Sequence, residues 1–343
     1  MKALVLHAAK DLRLEQRVVR EPAADELVID TAVGGVCGSD LHYYNDGGFG
    51  PIRLQEPMIL GHEVSGYVRE IGSQSLNFEI GDLVAVSPSR PCYQCSYCLQ
   101  AQHNHCENME FYGSAMPMPH IQGAFRQTLT VKATQCIRAN AIGASEAAMA
   151  EPFAVTLHAV RRAGDLLGKK VLITGSGPIG VLSIIAARRA GAARIVATDI
   201  ADNALKIAAA CGADETINVM KDPDAMAQYS SGKGYFENMF ECSGNEQALT
   251  AAIPALKPQC VLMQLGLGGD MKLPMMQLTA KEIELRGSFR FHAEYALAVE
   301  LMSSGLVDVK PLITHTMALE DAESAFTIAN DRNVAMKAQI VFN

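Results

Sequence analysis

Four cysteines lie within fifteen residues in the first third of this 343-residue chain. They are Cys92, Cys95, Cys98 and Cys106, with the spacing C-x₂-C-x₂-C-x₇-C. Four thiolates at such short intervals are typical of a closed tetrahedral zinc site, which leaves no coordination position for a substrate. The spacing therefore predicts a structural zinc ion. His103 and His105 lie in the same segment and are alternative ligands to Cys106, although we expect both to be solvated.

A second set of potential metal ligands is dispersed along the chain. Cys37, the adjacent pair His62 and Glu63, and Glu151 offer one sulfur, one nitrogen and carboxylate oxygens. Such a mixed set is typical of a catalytic zinc site, where three protein ligands leave a position for water or substrate. Spacing alone does not unite these residues, since each could also be an ordinary buried or surface side chain. It also leaves open whether Glu63 or Glu151 would contact the metal directly.

A glycine-rich loop indicates nucleotide binding. Gly175, Gly177 and Gly180 form G-x-G-x-x-G between a predicted strand and a predicted helix. Such glycines allow a tight turn, the approach of a pyrophosphate and close helix packing. Asp199 ends the next predicted strand, 19 residues beyond Gly180, where an acid can bind ribose hydroxyls and repel a 2′-phosphate. The pattern predicts NAD rather than NADP, and the alternative is a glycine turn in an α/β protein that binds no nucleotide.

The elements that must position these residues change character near residue 150. Earlier segments alternate short β-branched runs with Gly and Pro, which predicts a mostly β domain. Later segments alternate strands and helices, and six candidate strands predict a doubly wound parallel sheet. We expect an α/β protein with a Rossmann domain over 149–288. A mostly β catalytic domain would comprise 1–148 and 289–343, with the zinc lobe at about 90–108.

Composition narrows the class of protein. Hydrophobic residues make up 49% of the chain and charged residues 19%, which indicates a folded globular protein. The formal net charge is −8 and no basic run is present, so a zinc-finger protein that binds nucleic acid is disfavoured. No signal peptide or membrane-spanning segment is predicted, and nine cysteines favour metal binding in the reducing cytoplasm. We expect the sixteen methionines mainly to fill the core, and the alternative is that some of them line a pocket, among them Met116, Met118, Met275 and Met276.

Taken together, the motifs resemble the zinc-dependent medium-chain dehydrogenases over essentially the whole chain. The resemblance is carried by CGSDLHYY, GHE, the cysteine lobe, the Glu-Pro at 151, GxGPIG and SFRF. Glu151 in place of a third cysteine ligand, and Arg290 in SFRF, are similar to the polyol (sorbitol) dehydrogenase branch. The segments QHNHCENMEFYGSAM and PMMQLTAKEIELRGSFRF are similar to L-idonate 5-dehydrogenases. The resemblance implies a GroES-like β domain and a homodimer or homotetramer.

The resemblance also implies a reaction. It is the reversible, NAD-dependent oxidation of L-idonate at C5 to 5-dehydro-D-gluconate, with one catalytic and one structural zinc ion in each chain. A polyol dehydrogenase acting on sorbitol, xylitol or a related alditol is the alternative. A non-catalytic nucleotide-binding homologue is a more distant alternative, which the presence of every ligand and relay residue disfavours.

The resemblance further assigns individual residues. Ser39 and His42 resemble a proton relay, and Tyr43 would line the substrate pocket. Arg290 would contact substrate hydroxyls or the network around Glu151, and its guanidinium also suits a substrate carboxylate. Further residues implied to contact the nucleotide are Pro178, Ile179, Leu265, Ser288 and Phe289. His120 and His292 are weaker candidates for recognition of an acid group, against an ordinary surface position.

Overall fold

Antiparallel strands dominate the part of the chain that carries the dispersed ligands. The computed structural model describes residues 1–75 and 77–342, and these divide into two units. Unit 1 contains Met1–Glu151, Tyr295–Asp331 and 337–342, and unit 2 contains Pro152–Glu294 and Arg332–Met336.

Unit 1 is built around a seven-stranded sheet. Six strands follow one another in the order Cys136–Arg138, Leu83–Val86, Glu63–Ile71, Glu26–Gly35, Lys337–Val341 and Ile313–Ala318, and Thr128–Lys132 also pairs with Glu26–Gly35. The last two strands of that order are parallel, and the other pairs are antiparallel. The central strand Glu26–Gly35 is buried along almost its whole length, as expected for a strand covered on both faces.

Shorter elements complete unit 1. The remaining strands are Lys2–Ala8, Asp11–Gln16, Gly48–Phe49, Ile52–Arg53, Met58–Ile59, Ser89–Arg90 and Glu110–Phe111. The helices are Gly38–Asp46, Ser96–Leu99, Ala144–Ala148, Glu294–Ser303 from Tyr295 onward, and Ala322–Ala329. Short 3₁₀ turns lie at His103–His105, Ala133–Gln135, Lys310–Leu312 and Leu319–Asp321. Helix Ala150–Ala163 begins in unit 1, and its residues from Pro152 belong to unit 2.

The core of unit 1 is packed by aromatic rings from distant parts of the chain. Phe125 contacts Phe326 and Phe342 with ring centroids 6.4 and 6.0 Å apart, and all three side chains are buried. Phe326 also contacts Tyr44 at 5.1 Å. Aromatic side chains bury large apolar areas, so these contacts stabilise the packing of the C-terminal residues Phe326 and Phe342 against Tyr44 and Phe125.

Strand register brings three chain segments together at one end of this sheet. Gly35 is paired with Glu63 on one side and with Gln339 on the other. Cys37 lies shortly after strand Glu26–Gly35, and His62 directly precedes strand Glu63–Ile71. Lys337 begins the third strand, which ends at Val341. The position at 35 requires glycine, because a Cβ there would lie 2.2 Å from the Glu63 carboxylate.

Unit 2 is a doubly wound parallel sheet. Its six strands lie in the order Glu215–Asn218, Arg194–Asp199, Lys170–Thr174, Phe236–Glu241, Leu256–Gln264 and Glu284–Gly287. Every pair is parallel, and the chain order reverses at Lys170–Thr174 as in a dinucleotide-binding fold. The helices are Pro178–Arg189, Asp202–Ala210, Glu246–Ala252 and Met275–Ala280, with 3₁₀ turns at Ala225–Tyr229 and Ile253–Ala255. The predicted fold class, a doubly wound parallel sheet with a mostly β domain, is confirmed.

Several methionines lie on the surface, although composition suggested that they would be in the core. Met116, Met118, Met275 and Met276 are exposed, so the expectation that they fill the core is wrong. Met116 and Met118 lie in a segment of turns and bends, and Met275 and Met276 begin a short helix, where one turn cannot bury every side chain.

Among the described residues, no helix combines the length and the apolar character that crossing a bilayer requires.

Two glycines of the loop in unit 2 provide a test of how closely the chain packs there, with Gly180 as the test position and Gly177 as the control. A Cβ at Gly180 would lie 1.9 Å from the backbone oxygen of Gly175, whereas one at Gly177 would meet no atom within 4 Å. We expect Gly180→Ala to destabilise the fold by about 2 kcal/mol, because helix Pro178–Arg189 would have to move. Gly177→Ala should change stability by no more than about 0.5 kcal/mol. Thermal unfolding of both variants checks this, and equal melting temperatures would contradict the packing argument.

Candidate active site

The dispersed ligands of unit 1 converge. Donor atoms of Cys37, His62 and Glu63 all lie within 4.8 Å of one another. His62 and Glu63 are buried, and Cys37 is partly exposed. The antiparallel strands Glu26–Gly35 and Glu63–Ile71 explain this arrangement, because the end of one strand lies beside the start of the other. One sulfur, one nitrogen and one carboxylate thus face a common point.

Asp40 fixes the relative positions of these ligands. Its buried carboxylate accepts hydrogen bonds from the backbone N–H of Cys37 at 3.0 Å and of Gly61 at 3.1 Å. The same carboxylate lies 3.7 Å from Nδ1 of His62. Burial favours a neutral His62, but the charges of Asp40 and Cys37 outweigh it and raise the pKa of His62 well above its usual range. Carboxylates that orient a metal-ligating histidine in this way are common around zinc.

Glu63 forms a buried ion pair. Both carboxylate oxygens accept hydrogen bonds from Nζ of Lys337 at 2.8 Å, and both side chains are almost inaccessible to solvent. Lys337 also donates to the backbone oxygen of Val36 at 3.2 Å. Burial would lower the pKa of Lys337, but the charges of Glu63 and Cys37 raise it, so the ammonium stays protonated.

Glu151 provides a further buried carboxylate at the start of helix Ala150–Ala163. It has no hydrogen-bond partner in the described part of the chain, and it is 5% exposed. Burial raises the pKa of Glu151, and the charge of His62 lowers it in part. Glu151 also interacts electrostatically with Tyr295, whose pKa is raised well above its usual range, mainly by burial. A buried carboxylate without a hydrogen-bonded partner is costly unless a cation lies nearby.

The donor set and the charge balance of this cluster fit a zinc ion. Three buried carboxylates and a thiol face only one ammonium and one imidazole, so the cluster lacks positive charge. Sulfur, nitrogen and oxygen ligands together are typical of zinc sites that keep an open position. Cys37, His62 and Glu63 are positioned to hold the metal, and Glu151 is the nearby carboxylate without a partner.

The residues that follow Cys37 lie on helix Gly38–Asp46. Cys37 is the N-cap of this helix. Ser39 is partly buried, and His42 is exposed, with Nδ1 4.0 Å from a carboxylate oxygen of Asp46. Tyr43 is buried, and its hydroxyl accepts a hydrogen bond from the backbone N–H of Ala115 at 3.0 Å.

The cysteine lobe is a second, separate group of residues that could hold a metal ion. The sulfur atoms of Cys92, Cys95, Cys98 and Cys106 lie within 4.8 Å of one another. Backbone hydrogen bonds lower the pKa of Cys92 to about 6, whereas burial raises the pKa of Cys98 to about 12 and also raises that of Cys106. The rings of His103 and His105 instead lie against Tyr93 and Tyr97, with centroids 5.2 and 6.2 Å apart.

In unit 2 the glycine loop follows strand Lys170–Thr174. Gly175 has φ +81°, which its turn requires, and Pro178 and Ile179 begin the next helix after Gly177. Asp199 ends the neighbouring strand. Its carboxylate accepts from the N–H of Ser176 at 2.6 Å and from those of Ile200 and Ala201. The predicted acid therefore lies directly beside the glycine loop.

The other predicted nucleotide residues lie at the same carboxyl end of the sheet. The backbone N–H of Leu265 donates to the Glu241 oxygen, and that of Ser288 donates to the Gln264 oxygen. Phe289 is exposed, and the guanidinium of Arg290 lies over its ring at 4.9 Å. Arg290 has φ +54°, an uncommon conformation for a residue other than glycine.

The histidine candidates for recognising an acid group are in different environments. His120 is buried: its Nδ1 lies 2.9 Å from the Pro117 oxygen, and its Nε2 lies 2.8 Å from the backbone N–H of Gln55. Both ring nitrogens are thus used by the protein, and His120 has a structural role. The backbone N–H of His292 donates to Glu294.

Sequence reasoning missed three members of the buried cluster. Asp40 carried a detectable signal, since an acid three residues after the N-cap can bond back to the cap. Lys337 and Tyr295 carried none, because the fold brings them to Glu63 and Glu151 from the C-terminal part of the chain.

Known proteins match the chain over almost its whole length. Residues 23–141 match the alcohol dehydrogenase GroES-like domain, and residues 178–304 match the zinc-binding dehydrogenase domain. An L-idonate 5-dehydrogenase (NAD(P)(+)) from Escherichia coli K12 is 42% identical over 311 residues, covering 90% of each chain. A sorbitol dehydrogenase from Gallus gallus is 34% identical, covering 94% of this chain and 92% of the relative.

A solved structure agrees with these relatives. The crystal structure of L-idonate 5-dehydrogenase from Escherichia coli K-12 superimposes with a TM-score of 0.95 at 37% identity, covering 99% of this chain and 97% of that one. The matched family models, the similar solved structure and the converging donor atoms of Cys37, His62 and Glu63 all point to the same family. This chain belongs to the zinc-binding alcohol dehydrogenase family and is an oxidoreductase that uses zinc and a nicotinamide cofactor.

Proposed function

We propose that this enzyme oxidises L-idonate at C5 to 5-dehydro-D-gluconate, reversibly, with NAD⁺ as hydride acceptor. The observation that carries the substrate is the 42% identity to a relative named L-idonate 5-dehydrogenase, over 90% of both chains. The solved structure of the same name, with its TM-score of 0.95, supports it. The converging ligands of unit 1 supply the means to bind and activate a hydroxyl.

Cys37 and His62 are the proposed first two ligands of the catalytic metal, and a glutamate completes the set. Glu63 has its donor atoms in place, although Lys337 shares both carboxylate oxygens. Glu151 is the alternative, bound directly or through water, and it lacks a competing hydrogen bond among the described residues. Zinc bound here would act as a Lewis acid that lowers the pKa of the substrate hydroxyl.

Ser39 and His42 are the proposed relay that carries the proton from the substrate hydroxyl to solvent. Ser39 is partly buried and His42 is exposed, so helix Gly38–Asp46 runs from the proposed ligand Cys37 to solvent. We assign Ser39 as the first acceptor and His42 as the group that exchanges the proton with water. An imidazole suits this step because its ordinary pKa lies near neutrality. Tyr43 is the proposed wall of the substrate pocket.

The nucleotide is assigned to unit 2. Gly175, Gly177 and Gly180 bring backbone N–H groups to the pyrophosphate, and Pro178 and Ile179 begin the helix whose N-terminus faces it. Asp199 would bind the ribose hydroxyls, and its charge disfavours a 2′-phosphate. Leu265, Ser288 and Phe289 are the proposed contacts to the rest of the cofactor, which accepts the hydride.

Arg290 is the proposed recognition group for the substrate. Its guanidinium offers a fixed pair of N–H donors, which matches a carboxylate and not a neutral hydroxymethyl group. This residue would therefore favour an aldonate over an alditol.

Oxidation of a neutral polyol is the second candidate. It is favoured by the 34% identity to a protein named sorbitol dehydrogenase over 94% of this chain.

We also propose a cytoplasmic location, since closely spaced zinc thiolates must stay reduced. A homodimer or homotetramer is proposed from the family resemblance.

A substrate screen separates the two candidates. Initial rates of NAD⁺ reduction by zinc-loaded enzyme are measured with L-idonate, D-gluconate, sorbitol and xylitol. We expect kcat/KM for L-idonate to exceed that for either alditol by about 100-fold, because a hydrogen bond between a charged guanidinium and the carboxylate contributes about 1.5–3 kcal/mol. Arg290→Met should remove most of this preference. Faster turnover of sorbitol or xylitol would instead favour the polyol candidate.

Matched cysteine variants distinguish the two metal centres. Cys37→Ser should lose zinc from the catalytic site and reduce kcat by about 1,000-fold or more, with the melting temperature little changed. Cys95→Ser should lose the other zinc and several degrees of melting temperature, since closed zinc sites stabilise their folds. Elemental analysis, thermal unfolding and initial rates give the three readouts. Equal loss of fold in both variants would contradict the division into catalytic and structural sites.

Cofactor preference tests Asp199. In Asp199→Asn the negative charge is lost while one oxygen acceptor is kept for the loop N–H groups. We expect the ratio of kcat/KM with NADP⁺ to that with NAD⁺ to rise by about tenfold, and Asp199→Ala to raise it at least as much. An unchanged ratio in both variants would show that this carboxylate does not select the cofactor.

A further inference from the structure

Unit 1 contains a cavity whose wall carries several charged side chains, and these side chains have no role in the proposed reaction. The cavity has a volume of about 300 Å³. Arg20, Arg90, Arg126, Glu110 and Gln122 contribute to its wall. None of its lining residues is among the proposed metal ligands, relay residues or nucleotide contacts.

Arg126 is the unusual member of this wall. Its Nε is sealed from solvent and has no hydrogen-bond partner in the described part of the chain. No carboxylate among the described residues forms an ion pair with its guanidinium, and burial lowers its pKa. Arginine stays protonated even when buried, so it cannot relieve this cost by losing a proton. The side chain as a whole is partly exposed, so an anion in the cavity can reach the guanidinium and balance its charge.

The other arginines of the wall have carboxylate partners. Arg20 is paired with Glu26 at 2.7 Å, and Arg90 is paired with Glu110. Glu26 is held ionised, since its hydrogen bond with Arg20 helps to lower its pKa to about 2. These pairs hold the two guanidinium groups in place but leave Arg126 as the uncompensated charge.

Polar groups beside Arg126 are arranged as donors. The side-chain oxygen of Gln122 accepts from the backbone N–H of Ile59 at 2.9 Å, which fixes the amide. The amide nitrogen of Gln122 has no hydrogen-bond acceptor among the described residues, so its two N–H groups are available in the cavity wall. The four terminal N–H groups of Arg126 and a fixed amide offer more donors than one carboxylate can accept, and they suit a phosphate with its three or four oxygens.

We propose that this cavity binds a phosphate group, either free or carried by a small metabolite, with Arg126 as its principal ligand. The volume of about 300 Å³ exceeds that of inorganic phosphate alone and leaves space for an attached group. The site is independent of the proposed substrate, because it shares no residue with the metal and nucleotide sites.

Calorimetric titration tests the site. The zinc-loaded full-length enzyme is titrated with inorganic phosphate and, separately, with D-glucose 6-phosphate, at constant ionic strength in chloride. We expect binding of one phosphate group per chain, and Arg126→Gln should raise Kd by about tenfold or more, because a bidentate charged contact is lost. Arg13→Gln is the control: Arg13 is exposed and paired with Asp11, and its loss changes net charge equally. Tighter binding of one probe identifies whether the group is free or carried.

A second measurement does not depend on the variant folding. Crystals of the unmodified enzyme are soaked in tungstate, a tetrahedral oxyanion with strong anomalous scattering. An anomalous peak within hydrogen-bond distance of the Arg126 guanidinium is expected. Absence of that peak, no heat with either probe, or equal affinity in Arg126→Gln and Arg13→Gln would overturn the proposal.

Discussion

The structure of unit 1 depends on a buried excess of negative charge. Asp40, Glu63 and Glu151 are almost fully buried, and the positive charges beside them are the ammonium of Lys337 and the imidazole of His62, whose pKa is raised by Asp40 and Cys37 despite its burial. Burial of carboxylates without enough positive charge would raise their pKa values or unfold the site. A divalent cation bound by Cys37, His62 and a glutamate, as proposed, would supply the charge that is lacking. The proposed metal would then stabilise this unit electrostatically as well as take part in its chemistry.

Sheet topology explains how this cluster is assembled. The end of strand Glu26–Gly35 delivers Cys37, the start of Glu63–Ile71 delivers His62 and Glu63, and the start of Lys337–Val341 delivers the ammonium. Gly35 lies between the two neighbours and leaves room for the Glu63 carboxylate. Rigid strands hold such groups more accurately than loops would, which a catalytic metal site requires. The cysteine lobe, by contrast, takes all four of its candidate metal ligands from one short segment.

That contrast explains what the sequence could and could not predict. The cysteine lobe and the glycine loop are local, so spacing alone indicated their chemistry. In the same way, strand and helix periodicity predicted the doubly wound sheet. Cys37, His62 and Glu151 were united only by family resemblance, because they are far apart in the sequence. Long-range strand pairing brings Cys37 to His62, and Glu151 comes from the start of a helix. Lys337 was missed for the same reason, since a lysine near the C-terminus carries no local sign of burial. The exposed methionines were misjudged because composition says nothing about which faces short helices leave uncovered.

Zinc anomalous diffraction from crystals of the enzyme as purified is the most direct test of this electrostatic account. Two zinc peaks are expected in unit 1: one among the sulfurs of the cysteine lobe, and one bounded by Cys37, His62 and either Glu63 or Glu151. The second peak should disappear in His62→Ala while the first remains. A cluster at Cys37 and His62 that stays free of metal in active enzyme would contradict the account.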